Sequence, residues 1–504
     1  MGRPNVLLLM TDQQRFDSLG CMGNEAVETP NLDWLASRGA LFRCAYTACP
    51  SCVPARASLM TGMSQWHTGI LGMGRGQGPM GIGFEHTLPG ELAAAGYHTQ
   101  GIGKMHFHPQ RALNGFHHTI LDESGREFDP EFISDYRAWF LANRTGPYDI
   151  VDHGIDWNSW MARPYHAPEF LHPTNWTVNE SIAFLKRRDP ARPFFLMTSF
   201  ARPHSPYDAP QPYFDMYLNR EIPEPDVGAW AACHDVPADA ARPDAWRGVR
   251  SAEEIRRARA GYFAQIHHID HQIGRLLMTL RRLGELDNTL ILFSSDHGDM
   301  LGDHNLWRKT YAYEGSAHIP FIVSVPGSSP AERGQVLDAP VMLRDILPTV
   351  LDWCGAPVPE SVDGLSLRPL IEGEEVEWRS YVHGEHCTCY SEEQEMQYVT
   401  DGRYKFIWFP RLGTEQFFDL EEDPGECRNL ADDPDSAPLV ARWRGRLVSE
   451  LQIRGLDLTD GERLLCQRGK PPIVSPHYRE RLERCGLDWR AYRRPLPGRL
   501  PELP

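Results

Sequence analysis

The sequence contains no long apolar stretch. Its first apolar run, residues 6–10, is too short for the core of a signal peptide and is soon followed by the charged Asp12 instead of small cleavage-site residues. None of the other apolar runs in the 504 residues reaches the length needed to span a bilayer. We therefore expect no membrane partner and a cytoplasmic location.

Positive charge is also in short supply. Lysine and arginine total 51 against 68 aspartates and glutamates, which gives a net charge of -17. A surface of this sign disfavours nucleic acids and anionic membranes as partners. It does not exclude a small anionic substrate, because charges farther than about 8 Å are largely screened at physiological salt. One cation at ~4 Å still contributes about 4 kcal/mol at an effective dielectric constant of about 20.

A regular cysteine framework is absent as well. The eleven cysteines are an odd number and follow no repeated spacing. Such usage is typical of a reducing compartment rather than of a domain held together by disulfides. Because 41% of this long chain is hydrophobic, we expect one large core and a smaller domain without disulfide support.

Short apolar runs that end abruptly in polar residues alternate with helical patterns. The runs lie at residues 6–10, 99–103, 194–200, 290–295 and 321–325. Between them, residues 29–33 open one helix, and residues 252–283 have apolar side chains at helical spacing. This alternation predicts an α/β fold in which helices sandwich a large, mostly parallel sheet.

The C-terminal part of the chain has a different pattern. A connector with several prolines and glycines, residues 356–373, precedes aromatic and β-branched runs that are separated by turns such as Asp401-Gly402. The runs lie at residues 398–400, 404–409 and 416–420. They predict a small antiparallel sheet, followed by a helix near residues 438–451.

These patterns divide the chain into three parts. We predict a catalytic α/β domain over residues 1–365 and a C-terminal subdomain with the antiparallel sheet over residues 366–456. Residues 457–504 are rich in arginine and proline and are predicted to form an extended arm. The arm would pack on this subunit or on a neighbour in a homo-oligomer, and the alternative is a partly disordered tail.

One segment places unusual chemistry at a helix start. Residues 52–62 read C-V-P-A-R-A-S-L-M-T-G. Pro54 suits the first turn of a helix, and the residues after it have good helix propensity. Cys52 would then lie at a helix N-terminus, with Arg56 one turn further on the same side. The free N–H groups and the dipole of such a terminus favour an anion, and a tetrahedral oxyanion would fit there.

The same segment resembles the signature C-x-P-x-R-x-x-x-x-T-G of the type I sulfatases, the formylglycine-dependent members of the alkaline phosphatase superfamily. The resemblance implies an alkaline phosphatase-like fold close to the arylsulfatases, choline sulfatases and phosphonate monoester hydrolases. It also implies that a formylglycine-generating maturation enzyme oxidises Cys52 to formylglycine, an aldehyde whose hydrate, a geminal diol, is the nucleophile. The alternative is a buried structural cysteine in a helix-capping loop.

Polar residues follow the predicted strands at the edge of the sheet where ligands of open α/β folds bind. They are Asp12, Gln13, Lys104, His106, His204, Asp296 and His297. The resemblance makes five positions ligands of one divalent cation: Asp12, Gln13, Cys52, Asp296 and His297. Calcium is the ion expected from the family. Manganese is the second choice, because Gln13 and His297 stand where many sulfatases have Asp and Asn, and an imidazole suits a transition metal.

The resemblance further implies roles for six catalytic residues. Lys104 and His106 lie in G-K-M-H, similar to the family's G-K-x-H motif, and both Lys104 and Lys309 would contact the terminal oxyanion of the substrate. His204 and Lys309 would protonate the departing oxygen. His106 would take the proton of the second diol hydroxyl and so expel sulfate, while Arg56 holds the diol derived from Cys52.

These roles predict a sulfuric ester hydrolase that acts on a small anionic sulfate ester, either an aryl sulfate or a sulfated sugar or metabolite. Two alternatives stay open. A phosphonate monoester or phosphodiester hydrolase of the same superfamily is favoured by Asp12-Gln13 and Asp296-His297 but disfavoured by Lys104 and His106. An inactive protein that binds sulfated ligands would keep Cys52 as an unmodified thiol.

Overall fold

The five predicted apolar runs become strands of one large sheet. The computed structural model describes residues 3–73, 80, 83–125, 131–327 and 333–488. Its strands in the first two thirds of the chain are β1 Asn5–Asp12, β2 Ala40–Phe42, β3 Ala45–Tyr46, β4 His98–Gly103, β5 His118–Leu121, β6 Phe194–Pro203, β7 Thr289–Ser295, β8 Phe321–Ser324, β9 Gln335–Leu337 and β10 Val341–Met342. Eight of them form a sheet in the order β5–β4–β6–β1–β7–β8–β2–β9.

Most neighbours in this sheet are parallel. All pairs from β5 through β4, β6 and β1 to β7 are parallel, and so is the pair β2–β9. Only β8 runs antiparallel to both of its neighbours, β7 and β2. The predicted α/β class with a mostly parallel sheet is therefore confirmed, with one reversed strand that the apolar pattern alone did not indicate.

Helices cover both faces of the sheet. They are α1 Pro30–Ser37, α2 Cys52–Thr61, α3 Gln65–Thr68, α4 Leu88–Ala94, α5 Asp135–Asn143, α6 Pro173–Arg187, α7 Gln211–Leu218, α8 Pro237–Ala240, α9 Ala252–Arg282, α10 Glu314–Ala317, α11 Ile346–Cys354, α12 Arg368–Glu372, α13 Ala437–Gln452 and α14 Pro476–Arg484. None in the described ranges is long and apolar enough to cross a membrane.

The central strand β1 shows why both faces need a cover. Successive side chains of a strand point to opposite faces, and all eight residues of β1 are buried. Leu8 packs in a core cluster with residues of α2, α4 and α11, whereas Leu7 and Leu9 pack in another with residues of α1, α6 and α9. The sheet is thus the middle layer of three.

The long helix α9 begins at a capping box. The Ser251 hydroxyl accepts the N–H of Glu254, and the Glu254 carboxylate accepts the N–H of Ser251. From this cap the helix runs for 31 residues, and Ile269, Ile273 and Leu280 lie on its buried face. Its first half lies near the carboxyl end of β1, where the hydroxyl of Tyr262 donates to the carbonyl of Gln13.

The predicted antiparallel sheet is also present. Its strands are β11 Val382–His386, β12 Met396–Thr400, β13 Tyr404–Phe409 and β14 Thr414–Asp419, paired in that order and all antiparallel. Gly402, with φ 92°, turns the chain between β12 and β13 in a conformation that favours glycine. The helix α13 packs on this sheet through Trp443 and Leu447.

The described part of the C-terminal arm lies on its own subunit. The hydroxyl of Ser475 caps α14 and donates to the carbonyl of Trp66 at 2.7 Å, and Tyr478 packs against Gly69 at the end of α3. Residues 489–504 lie outside the described residues. The domain limits at 365 and 456 and the homo-oligomer stay predictions.

A buried ion cluster joins the antiparallel sheet to the larger α/β part of the chain. The ammonium of Lys405, on β13, donates to the carboxylates of Glu314 at 2.5 Å and Glu426 at 2.9 Å and is not exposed to solvent. Glu314 belongs to α10 in the α/β part and also accepts from the hydroxyl of Tyr46 and from the Nδ1 atom of His318. One cation therefore compensates two carboxylates that face each other across the junction.

We expect Lys405→Met to lower the free energy of unfolding by about 3–5 kcal/mol, because it leaves buried carboxylates without their cation. Urea unfolding would measure this loss. The matched control is Arg43→Met, which removes the cation of the exposed Arg43–Asp338 pair and should change the free energy by less than about 1 kcal/mol. Equal stability of the two variants would contradict the assignment.

Candidate active site

The polar residues predicted at the strand ends meet at one edge of the sheet. Asp12 is the last residue of β1, Asp296 follows β7, and Cys52 is the first residue of α2. The Asp12 carbonyl accepts the N–H of His204, which follows β6, at 2.9 Å. Since the carboxyl ends of parallel strands share an edge, segments that are distant in sequence supply side chains to one place.

Four side chains form a cluster that could hold a metal ion. One ligating atom from each of Asp12, Cys52, Asp296 and His297 lies within 4.8 Å of all the others, and all four residues are buried. The Nδ1 atom of His297 lies 2.9 Å from the carbonyl of Gly298. A carbonyl can only accept, so Nδ1 carries a proton, and Nε2, 3.3 Å from the Cys52 sulfur, is the ring nitrogen that could bind a cation.

The donor set fits a divalent cation. Two carboxylates and one imidazole nitrogen are common ligands of such ions. The two carboxylates also lie so close together that they repel each other when both are charged. Burial, together with the charge of Asp12, raises the pKa of Asp296 to about 6, although His297 and Arg56 act in the opposite direction. A bound divalent cation would further reduce the repulsion between the two carboxylates.

Arg56 ties the cluster together from within the protein. Its Nε donates to Asp296 at 2.8 Å, and one terminal nitrogen donates to Asp12 at 3.2 Å. The other terminal nitrogen donates to the hydroxyl of Ser199 at 2.9 Å and to the carbonyl of Lys104 at 2.6 Å. With only 1% of its surface exposed, Arg56 acts as an internal clamp on both carboxylates and on the loop after β4.

Two lysines face position 52. The ammonium of Lys309 lies 3.2 Å from the Cys52 sulfur, and that of Lys104 lies 3.9 Å from it and 2.5 Å from Asp12. Burial and the charge of Asp12 act to raise the pKa of the Cys52 thiol, but Lys104, Lys309 and His297 outweigh them and hold it well below its usual value. Position 52 therefore stabilises negative charge.

Gln13 is engaged by its neighbours at the same edge. Its amide oxygen accepts from Lys309 at 2.9 Å, and its amide nitrogen donates to Asp299. The backbone of Gln13 is left-handed, with φ 71°, and its N–H donates to Asp296. The residue thus lies beside the cluster with its oxygen on a lysine, and its role as a metal ligand stays a prediction.

The two predicted acid–base histidines are placed by their backbones. The ring of His204 donates through Nδ1 to the Ser205 carbonyl at 3.0 Å. Burial acts to raise the pKa of the Asp12 carboxyl, but Lys104, His204 and other nearby cations hold it well below its usual range. His106 has φ 60°, and its N–H donates to the carboxylate of Glu123 at 3.0 Å. The roles of His204 and His106 in proton transfer stay predictions.

Sequence reasoning missed two carboxylates that order these loops. Asp299 accepts the N–H groups of Leu301 and Arg308 at 3.0 Å each and so shapes the loop that carries Lys309. Glu123 accepts the N–H groups of Met105 and His106, next to Lys104. Asp299 follows Asp296-His297-Gly298 directly, which could have drawn attention to it, whereas Glu123 carries no comparable signal.

Left-handed backbone is concentrated around this edge. Besides Gln13 and His106, the residues Arg308 and Thr310 on either side of Lys309 have φ 69° and 83°. Such conformations cost energy for residues other than glycine and persist where the surroundings impose them. Hydrogen bonds to Glu123 and Asp299 supply that constraint at His106 and Arg308, and the N–H of Thr310 donates to the carbonyl of Pro50 at 2.9 Å.

The sulfatase family model matches residues 4–356, and the model of the N-sulphoglucosamine sulphohydrolase C-terminal region matches residues 302–452. The first match covers more than half of the chain. The chain belongs to the sulfatase family. It is a sulfuric ester hydrolase with an alkaline phosphatase-like fold, as the motif at Cys52 predicted.

Curated relatives extend over nearly the whole length of this sulfatase. An arylsulfatase of Clostridium perfringens is 46% identical over 488 residues, which cover 95% of this chain and 100% of the relative. A choline-sulfatase of Rhizobium meliloti is 33% identical over 87% of this chain and 85% of its own. The solved phosphonate monoester hydrolase of Agrobacterium radiobacter is 27% identical, with a TM-score of 0.75 over 94% of this chain and 99% of that one.

The cluster of Asp12, Cys52, Asp296 and His297 leads to a prediction about metal binding. We expect Asp296→Asn and His297→Ala each to lower the affinity for a divalent cation by at least about 10-fold, the scale of effect that follows even from loss of an outer partner of a metal ligand. Metal content after dialysis, measured by elemental mass spectrometry, would report it. Asp287→Asn, which alters an exposed carboxylate paired with Arg38, is the control and should retain the metal. Undiminished metal in both site variants would contradict the assignment.

Proposed function

We propose that this sulfatase hydrolyses sulfate monoesters of small alcohols or phenols with a formylglycine derived from Cys52 and one divalent cation, calcium or, as second choice, manganese. The observation that carries the proposal is the position of Cys52. It lies between two lysine ammonium groups, at 3.2 and 3.9 Å, and a buried cluster of two carboxylates and an imidazole. A negatively charged nucleophile and a tetrahedral anion would both be stabilised there.

The two groups would supply distinct chemistry. A hydrated formylglycine at position 52 offers one hydroxyl to attack sulfur and a second whose deprotonation releases sulfate, which neither serine nor a thiol can offer. A divalent cation held by Asp12, Asp296 and His297, and by Gln13 as the resemblance implies, would neutralise charge on the nucleophile and on the sulfuryl oxygens. The conversion of Cys52 would need a formylglycine-generating maturation enzyme as partner, and we propose that this protein itself is cytoplasmic.

The remaining residues would handle the substrate and its protons. Lys104 and Lys309 would bind the sulfuryl oxygens through their ammonium groups, which already face position 52. His204, with Lys309, would protonate the departing alcohol oxygen, and His106 would take the proton of the second hydroxyl. Arg56 would keep both carboxylates in place through its hydrogen bonds to Asp12 and Asp296, and would in this way help to hold the diol at position 52.

An aryl sulfate is the preferred substrate class. The 46% identity to an arylsulfatase extends over the full length of that relative, whereas the identity to a choline-sulfatase is lower. A sulfated sugar or other sulfated metabolite is the next choice.

A second function is favoured by a specific observation. The chain carries Gln13 where many sulfatases have a second Asp, and its fold is similar to that of a phosphonate monoester hydrolase. A phosphonate monoester presents a single negative charge, like a sulfate monoester, so the same cations could serve it. Lys104 and His106 favour the sulfate ester.

The central prediction concerns position 52 and the choice of ester. In protein made together with a formylglycine-generating enzyme, the mass of the peptide that contains Cys52 should correspond to the aldehyde. kcat/KM should then be higher for an aryl sulfate than for an aryl phosphonate monoester, and Cys52→Ala should abolish both activities. A strong preference for the phosphonate would support the second function. A thiol that binds sulfated ligands without turnover would support the inactive binding protein.

The contact of Lys309 with position 52 gives another prediction. Lys309→Ala should lower kcat/KM for an aryl sulfate by about 100- to 1,000-fold, the scale expected for loss of one preorganised donor at a developing anion. Lys186→Ala, an exposed lysine on α6, is the matched control and should leave kcat/KM unchanged. Both values must be normalised to aldehyde content. Wild-type activity in Lys309→Ala would remove this lysine from the mechanism.

A further inference from the structure

The antiparallel C-terminal sheet contacts the segment that leads into Cys52. The hydroxyl of Tyr398, on β12, donates to the carbonyl of Thr47 at 2.7 Å. The N–H of Glu385, on β11, donates to the carbonyl of Ala48 at 2.7 Å. On the other side of α2, the N–H of Cys387 donates to the carbonyl of Leu71 at 2.8 Å. Strand β11 and its end thus bond to the chain on both sides of the nucleophile helix.

One side chain from this sheet reaches the residue before Cys52. The Nε2 atom of His386, the last residue of β11, lies 2.8 Å from the hydroxyl oxygen of Ser51, and both residues are buried. The Nδ1 atom of His386 lies 2.6 Å from the carbonyl of Cys387 and therefore carries the proton. Nε2 is then the acceptor, and the Ser51 hydroxyl is the donor. Burial lowers the pKa of His386 to about 4, so the ring is neutral.

Because of this hydrogen bond, the Ser51 hydroxyl does not cap the helix as its position would suggest. Ser51 is the N-cap residue of α2, with φ −157° and ψ 155°, and serine commonly caps a helix by accepting the N–H two or three residues on. Its hydroxyl makes no such bond here. The residue three positions after Ser51 is Pro54, which has no backbone N–H to donate. The hydroxyl is held by His386 instead, across the junction between the two parts of the chain.

We propose that His386 is a positioning residue for the nucleophile: by holding the Ser51 hydroxyl, it fixes the first turn of α2 and so the direction in which the side chain at position 52 leaves the backbone. The inference rests on the proposed function. His386 does not touch substrate in this account. It acts through Ser51, in the same way that Arg56 and Asp299 act through their neighbours.

The expected effect is on rate rather than on substrate affinity. A displacement of about 1 Å at the reacting atom can cost on the order of 100-fold in rate. Lys104 and Lys309 bind the sulfuryl group from other segments, so loss of the His386 contact should leave KM almost unchanged. We expect kcat for an aryl sulfate to fall about 10- to 100-fold.

Four variants test this in aldehyde-quantified protein. His386→Leu removes the acceptor, His386→Gln restores an acceptor close to the place of Nε2, Ser51→Ala removes the donor, and the fourth combines Ser51→Ala with His386→Leu. The control is His383→Leu on the same strand, whose ring pairs with Gln397 and not with Ser51. It reports how much a buried substitution in β11 costs by itself.

We expect kcat to fall in His386→Leu and Ser51→Ala, to recover in His386→Gln, and to fall no further in the double variant. Hydrogen exchange of the peptide that spans residues 47–61 should rise in His386→Leu and not in His383→Leu, a readout independent of turnover. Equal losses in His386→Leu and His383→Leu, no recovery with Gln, or additive losses in the double variant would each overturn the proposal. Absence of sulfatase activity in the wild type would instead refute the proposed function.

Discussion

The structure of this sulfatase depends on keeping Asp12 and Asp296 side by side in the protein interior. Neither carboxylate could stay charged there alone, because burial disfavours the charged form and the two repel each other. Arg56 bonds to both, and Lys104 bonds to Asp12. The sheet makes this arrangement possible, since it delivers segments distant in sequence to one edge. The positive charges of Arg56 and Lys104 therefore allow both carboxylates to be buried, and the chemistry of the site depends on that compensation.

Much of the fold could be predicted from local patterns. The apolar runs marked five strands of the large sheet, and the switch to aromatic runs after residue 356 marked the antiparallel sheet. What the patterns could not reveal is strand direction: β8 is as apolar as the parallel strands of the sheet but runs antiparallel to both of its neighbours, β7 and β2. The short strand β5, residues 118–121, was also missed, because four residues with two polar side chains carry little periodic signal.

The same distinction applies to the site. Residues that follow strands or belong to the Cys52 motif could be chosen from the sequence, and Asp12, Cys52, Asp296 and His297 do lie together. The partners of these residues could not be chosen. Gln13 bonds to Lys309, and His386 bonds to Ser51, across hundreds of residues, and no spacing rule connects them. The first pair depends on how the loops after β1 and β7 fold beside each other, and the second on how the C-terminal sheet packs on the α/β part.

Burial of Cys52 also has a consequence for the order of folding and the proposed oxidation. Only 1% of this residue is exposed, and β11 bonds to the chain on both sides of its helix. In the folded chain the sulfur is enclosed by Asp12, Lys104, His297 and Lys309, so an oxidising enzyme could not contact it directly. The proposed conversion would then take place on a growing or still unfolded polypeptide, before the segments around Cys52 have packed against one another.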